Sequence, residues 1–298
     1  MNWDSSFEDF KNYLKLERGL SINSIKSYEY DLNLFKFFLE KNKFKDTPLN
    51  CKPETIKRYL YKNFSEKKSR SQARSISTFK SFFNYLIFEG YIKDSPVSNI
   101  ESPKLEKKLP EVLSESEIKE LINSIDMNHS FGQRNKTIIE ILYGTGIRVS
   151  ELIRLKLSNI FFKEGIIKVI GKGEKERFVP LGDIASNEIK IYLNERDKLK
   201  IDLNFSDILL LNKYGRGLTR SMIYKIISDA SSSINLKKKI SPHTLRHSFA
   251  THLIKNGADL RTIQIILGHE SITTTEIYTH LDTYHLSEVL KKYHPRSE

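Results

Sequence analysis

The sequence predicts a mainly α-helical protein with a small antiparallel β-sheet, divided into two domains. Three observations carry this. Four amphipathic helical stripes fill the first hundred residues, a proline-bracketed charged stretch follows them, and three short β-rich runs lie between residues 160 and 179. A chain of 298 residues is also long for a single hydrophobic core.

Phe7, Phe10, Tyr13, Leu14 and Leu16 recur at helical spacing, and Arg18-Gly19-Leu20 ends that helix. Ser21 suits the N-cap of a second helix, whose Ile25, Tyr28, Leu32, Phe35, Phe38 and Leu39 share a side. Pro53 opens a third through Ile56, Tyr59 and Leu60. A fourth runs from about Arg70 to Phe88, turning Ile76, Phe79, Phe83, Leu86 and Ile87 inward until Gly90 stops it. These helices make a first domain over residues 1–103, a small four-helix bundle. Residues 104–110, between Pro103 and Pro110, carry no apolar stripe and read as an extended linker. Ser114-Glu-Ser-Glu117 is a capping-box start, so the second domain spans 111–298. Within it, Ile160-Phe-Phe162, Gly165 to Ile170 and Glu176 to Val179 predict a three-stranded antiparallel sheet, and helices resume near Ile184.

The formal net charge is +12, shared evenly by the two halves. Both domains are therefore suited to face a polyanion such as nucleic acid, although a lysine-rich proteome gives the same balance. The single cysteine, Cys51, excludes an intramolecular disulfide and a cysteine zinc site. The start lacks a basic segment followed by an apolar run, and no apolar stretch is long enough to span a bilayer. A cytoplasmic protein without a membrane partner is expected.

Four segments carry chemistry. In Tyr143-Gly-Thr-Gly-Ile-Arg148-Val-Ser-Glu151, the glycines break one helix and Thr145 is placed to cap the next. That puts Arg148 in a first helical turn with Glu151 on the same face. Gly171-Lys172-Gly173 is a tight turn between two strands, with a lysine on its tip. Ser241 and Pro242 start a helix that brings His243 and Arg246 to one face. Gly268 reads as a C-cap that places His269 in a turn, with Tyr278 on a short helix after Ser271. Taken singly, each has an ordinary alternative: a surface ion pair, a solvated lysine, a helix cap, a core tyrosine. His243 and His247 have the i, i+4 spacing of zinc ligands, but no Glu follows His243 and the His269-Glu270 pair has no His at Thr273, so no metal is expected.

Together these residue types suit phosphoryl transfer without metal or cofactor. Two arginines stabilise charge building on the non-bridging oxygens of a phosphodiester. A tyrosine hydroxyl can act as a covalent nucleophile where cationic neighbours lower its pKa. A lysine on a turn can deliver a proton to the departing sugar oxygen. No phosphate-binding Walker loop is present, and a covalent phosphotyrosine would conserve the bond energy without ATP.

The motifs resemble the tyrosine recombinase family, and within it the Xer site-specific recombinases. Arg18-Gly-Leu-Ser21, Tyr28, Asp31-Leu32 and the Ser75 to Tyr85 region resemble that family's four-helix, SAM-like DNA-clamping domain. Leu142 to Leu152 resembles its first conserved box, and His243 to Ala250 with Leu267 to His280 resembles its second. The resemblance implies a C-shaped clamp on duplex DNA and a 3′-phosphotyrosine formed by Tyr278. Arg148 and Arg246 would grip the scissile phosphate, supported by His243 and His269. Lys172 would be the general acid, and Glu151 would position Arg148. It further implies homo- or hetero-tetramers on two copies of a specific site, exchange through a Holliday junction, and dimer resolution at dif-like sites during chromosome partition. An FtsK-like DNA translocase is admitted as a further partner. Leu286, Val289, Leu290 and Tyr293 would form a helix docking on a neighbouring protomer. Arg70 and Arg74, i, i+4 neighbours after Lys67 and Lys68, are the candidate DNA contacts of the first domain. An integrase or transposon recombinase on the same fold is the enzymatic alternative, and a non-catalytic DNA-binding protein the other.

Overall fold

The computed structural model describes residues 1–64, 69–103, 111–234, 236, 238–268 and 280–296. The expected linker 104–110 lies outside them. The chain separates into two compact units, Met1–Lys108 and Leu109–Glu298.

Among the described residues the first unit holds four helices, α1 (Trp3–Leu16), α2 (Ile22–Lys41), α3 (Pro53–Phe64) and α4 (Ser69–Phe88). Asn2 caps α1 by accepting from the Ser5 N–H, and Ser21 caps α2 by accepting from Ser24. The apolar stripes meet in an aromatic core. Phe35 lies edge-on to Tyr59 and Phe79, each with ring centroids 5.1 Å apart, and Phe10 packs edge-on to Phe82. Each fully buried phenylalanine contributes about 1.5–3 kcal/mol of transfer free energy, and edge-to-face geometry adds to it. Ile87, expected inward, is instead 37% exposed, because it lies one position off the stripe that ends at Leu86.

Among the described residues, one charged group is buried in this unit. Asp31 is fully buried on α2 and accepts from Arg74 of α4 (Nε to Oδ2, 3.1 Å; Nη2 to Oδ1, 2.9 Å) and from the Thr78 hydroxyl at 3.3 Å. A buried carboxylate needs such partners, since an unpaired one would not stay ionised. Arg74 thus ties α4 to α2 while half its side chain stays exposed. The Arg70 side chain lies outside the described residues.

The second unit contains α5 (Glu115–Asn123), α6 (Gly132–Thr145), α7 (Val149–Leu152), β1 (Ile160–Phe161), β2 (Ile166–Ile170), β3 (Glu176–Pro180), α8 (Asp183–Arg196), α9 (Arg220–Ser233), α10 (Pro242–Lys255), α11 (Leu260–Leu267) and α12 (His280–Tyr293). The capping box at Ser114 and Glu117 is present. Helix α6 is buried on every side from Thr137 onward and forms the axis on which α5, α8, α9 and α10 pack. The sheet has the order β1-β2-β3 and is antiparallel throughout. Its register pairs Ile167 with Val179 and Val169 with Arg177. The inward face therefore carries Ile167, Val169, Val179 and one arginine, Arg177, all buried.

Leu286, Val289 and Leu290 of α12 are buried in this unit's own core. The single chain covers this face within its own core, and the expectation that it docks on a neighbouring protomer remains a proposal. The chain end is also fastened. Arg296 donates Nε to the buried Glu140 of α6 at 3.1 Å, and His294 is buried with its ring 4.8 Å from that of Tyr143.

Burial pulls the His294 pKa from its ordinary 6.5 down to about 4. The folded state therefore binds fewer protons than the unfolded chain between those values. Stability is complete above about pH 6.5 and declines as pH falls towards 4. The second unit is expected to lose about 2 kcal/mol between pH 7 and pH 5 from this group. Thermal melts at both pH values check it; an equal loss in His294→Phe would assign the effect to other groups.

Candidate active site

The site is built on the end of α11. The last carbonyls of a helix have no partner within it and carry the negative end of its dipole. Three arginines from three different elements take successive carbonyls there. Arg177 of β3 donates Nε to Ile266 at 3.1 Å, Arg246 of α10 donates Nη2 to Leu267 at 2.6 Å, and Arg148 donates Nη2 to Gly268 at 2.9 Å. Arg246 also donates Nη1 to the Gly146 carbonyl at 2.6 Å, which joins the end of α6 to the same cluster.

Glu151 holds the arginines together. It is 3% exposed and accepts both prongs of Arg177, Nη1 to Oε1 at 2.8 Å and Nη2 to Oε2 at 2.9 Å. It also accepts Arg148 Nη1 at 3.0 Å and the Arg148 backbone N–H at 2.7 Å. Burial works against the Glu151 carboxylate, but the hydrogen bonds and charge of Arg177, with those of Arg148, outweigh it and hold its pKa below the ordinary value. Arg246 is pulled down to about 9, first by burial and then by the neighbouring Arg148 charge. These four side chains set three guanidiniums against one carboxylate, an excess of two positive charges. Such a cluster is built to receive an anion.

The sequence expectation for Arg148 needs one correction. Thr145 closes α6 by donating to the Ile141 carbonyl at 2.6 Å and does not cap the next helix. Arg148 itself is the N-cap residue of α7, with extended backbone and Glu151 as its capping partner. Four residues are too few for a useful helix dipole, so affinity for an anion there comes from the guanidinium. The Arg148 side chain stays 40% exposed. Ser241 and Pro242 start α10 as expected, with Ser241 accepting from the Thr244 N–H. His243 stands exposed in that first turn, while Arg246 one turn on is 7% exposed.

Lys172 begins a 3-10 turn, Lys172–Glu174, between β2 and β3; its side chain lies outside the described residues. Gly171 sits against the arginine cluster: a Cβ there would be 3.7 Å from Glu151 Oε1 and 3.8 Å from Arg177 Nη1. Gly268 ends α11 in the left-handed region, as a C-cap. His269, Ser271 and Tyr278 follow it and lie outside the described residues. Arg177 was missed in the sequence. Its signal was present: in β3 it alternates onto the same face as Val179, and an arginine at an inward strand position needs a buried acid.

Profile comparison matches residues 111–285 to the Phage integrase family and residues 7–90 to the Phage integrase, N-terminal SAM-like domain. The chain belongs to the phage integrase family. It is a tyrosine recombinase of the Xer type, a DNA strand transferase. The recombinase is similar to tyrosine recombinase XerD of Listeria monocytogenes, with 43% identity over 97% of this chain and 98% of the relative. It is also similar to XerD of Staphylococcus aureus, with 38% identity over 99% and 100%. Among solved structures it resembles the XerA recombinase, at 32% identity and TM-score 0.51 over 99% of this chain and 100% of that one. The XerH site-specific recombinase bound to a palindromic difH substrate matches at 26% identity and TM-score 0.71, over 96% and 84%. Among the described residues no helix is long and apolar enough to cross a membrane.

Proposed function

We propose that the recombinase cuts and rejoins duplex DNA through a 3′-phosphotyrosine on Tyr278. The observation that carries this reading is the convergence of Arg148 and Arg246 on the end of α11, with the excess positive charge held in place by Glu151. A scissile phosphate bound there would have its developing negative charge met by two guanidiniums. His243 stands one turn before Arg246, and in sequence His269 follows directly on Gly268. The two histidines would support the transition state. Tyr278, having released its phenolic proton, attacks phosphorus; its O–P bond forms, the P–O5′ bond breaks, and the 5′-oxygen leaves with a proton from Lys172. The reverse attack by a 5′-hydroxyl rejoins the strand and frees the tyrosine.

The finer role is Xer-type resolution of chromosome or plasmid dimers at a dif-like site, by a homo- or hetero-tetramer passing through a Holliday junction. Identity of about two-fifths to XerD relatives over nearly the full length supports this role over that of a mobile-element integrase. An FtsK-like translocase would be its regulator, the cytoplasm and nucleoid its location, and Arg70 and Arg74 of α4 its DNA contacts in the first unit.

The test is a nicked suicide duplex incubated with the protein in EDTA. A covalent protein–DNA adduct is expected with the natural chain and none with Tyr278→Phe. An undiminished adduct in that variant removes Tyr278 as nucleophile, and a strict need for divalent metal removes the mechanism.

A further inference from the structure

Arg177 is the one member of the arginine cluster with no part in the chemistry above. It is 8% exposed, and its three donating nitrogens are committed: Nε to the Ile266 carbonyl, Nη1 and Nη2 to the two oxygens of Glu151. With all three engaged inside the cluster, it is not assigned a contact with substrate. A purely structural reason is also weak. Buried ion pairs are often no better for stability than apolar packing of the same volume, and its face of β3 is otherwise apolar. What Arg177 does occupy is the junction of the three segments that carry the reacting groups. Glu151 orients Arg148, the Ile266 carbonyl lies in the last turn of α11 before His269, and Gly171 beside Lys172 packs against the Arg177–Glu151 pair.

Its charge matters as much as its bonds. With Arg148 alone, Glu151 would form a one-to-one pair and neutralise the phosphate-binding guanidinium. Because Arg177 takes Glu151 from its two-pronged side, Arg148 keeps a single side-chain bond to Oε1 and most of its attraction for an anion. The closeness of the like-charged Arg246 raises the cost of this arrangement, which packing alone does not explain.

We propose that Arg177 is a positioning residue for strand cleavage: it fixes Glu151, and through Glu151 the Arg148 guanidinium, in one frame with the end of α11. The proposal rests on the reading of Arg148 as a phosphate ligand.

The experiment is single-turnover cleavage of the nicked duplex by the full chain, with Arg177→Lys, Arg177→Gln and Arg148→Lys. Folding is followed by circular dichroism and duplex affinity by fluorescence anisotropy. A lysine keeps the charge but supplies neither the fork nor the third bond. Arg177→Lys is expected to slow the cleavage rate constant at saturating protein about 10- to 100-fold, with affinity changed less than about threefold. The amplitude of covalent complex should stay near that of the natural chain. A merely structural role would lower the amplitude, through a smaller folded fraction, and leave the rate constant alone; that result overturns the proposal. So does failure of both Arg177 variants to fold. If the natural chain forms no adduct, or Arg148→Lys cleaves normally, the functional reading itself has failed, and that is seen before the Arg177 variants are compared.

Discussion

Glu151→Ala is expected to lower the stability of the second unit by about 3–5 kcal/mol, the cost of breaking a buried ion pair from one side. The carboxylate is 3% exposed and accepts four hydrogen bonds, three from guanidiniums and one from a backbone N–H. Its removal leaves Arg177 buried beside Arg246 and Arg148 with no acid among these residues to offset them. For a unit of this size, that loss is roughly 10 °C or more in melting temperature. Glu151→Gln should fall between, because one amide oxygen still accepts while the amide nitrogen faces a guanidinium donor. Cleavage of the nicked duplex should slow on the order of 100-fold even where the Gln variant is folded, since Arg148 loses its orienting partner. Thermal melts and single-turnover assays check both parts. A shift below about 2 °C for Glu151→Ala would mean the cluster is not the electrostatic keystone described here.

Gly268→Ala is expected to cost about 2–5 kcal/mol, from two separate sources. Its φ of +64° lies in the left-handed region, which an L side chain enters at about 1–2 kcal/mol. A Cβ there would also stand 2.9 Å from Arg177 Nε and 3.0 Å from its Cδ. Overpacking of that kind adds about 1–3 kcal/mol, and Arg177 is pinned by three bonds, so it has nowhere to swing. Gly173 separates the two sources. It has a similar φ of +72° but no atom within 4 Å of an added Cβ, so Gly173→Ala should show the conformational cost alone. Urea unfolding of both variants measures the difference. Equal losses would remove the steric argument and with it the close approach of β3 to the end of α11.

The helices were legible because their signals are local. Ser21, Ser114 and Ser241 each accept from a backbone N–H three residues on, and the apolar stripe decides which side turns inward. Ile87 shows the resolution of that reading: a stripe tells the face, and one position of drift exposes a side chain. The strands were legible through their turns, apart from the shortness of β1. Thr145 was misread because a threonine before a helix and a threonine at the end of one look alike in sequence. The donation of its hydroxyl to Ile141 distinguishes them. Leu286, Val289 and Leu290 pose a related question. An apolar face must be covered, but nothing local says whether its own domain or a neighbour covers it.

By itself, the sequence determined the helix starts, the division into two units and the kinds of residue available for chemistry. Those depend on capping, periodicity and side-chain type, all of which act within one or two turns. Only the tertiary structure decided that Arg148, Arg177 and Arg246 take three successive carbonyls at the end of α11, and that Arg148 and Arg177 share one carboxylate. These partners are 89, 21 and 120 residues apart along the chain for Arg177, Arg246 and Arg148. No local propensity encodes such meetings. They follow from the buried sheet face that turns Arg177 inward and from the packing of α10 on α6, where desolvated charges accept only partners that satisfy every donor.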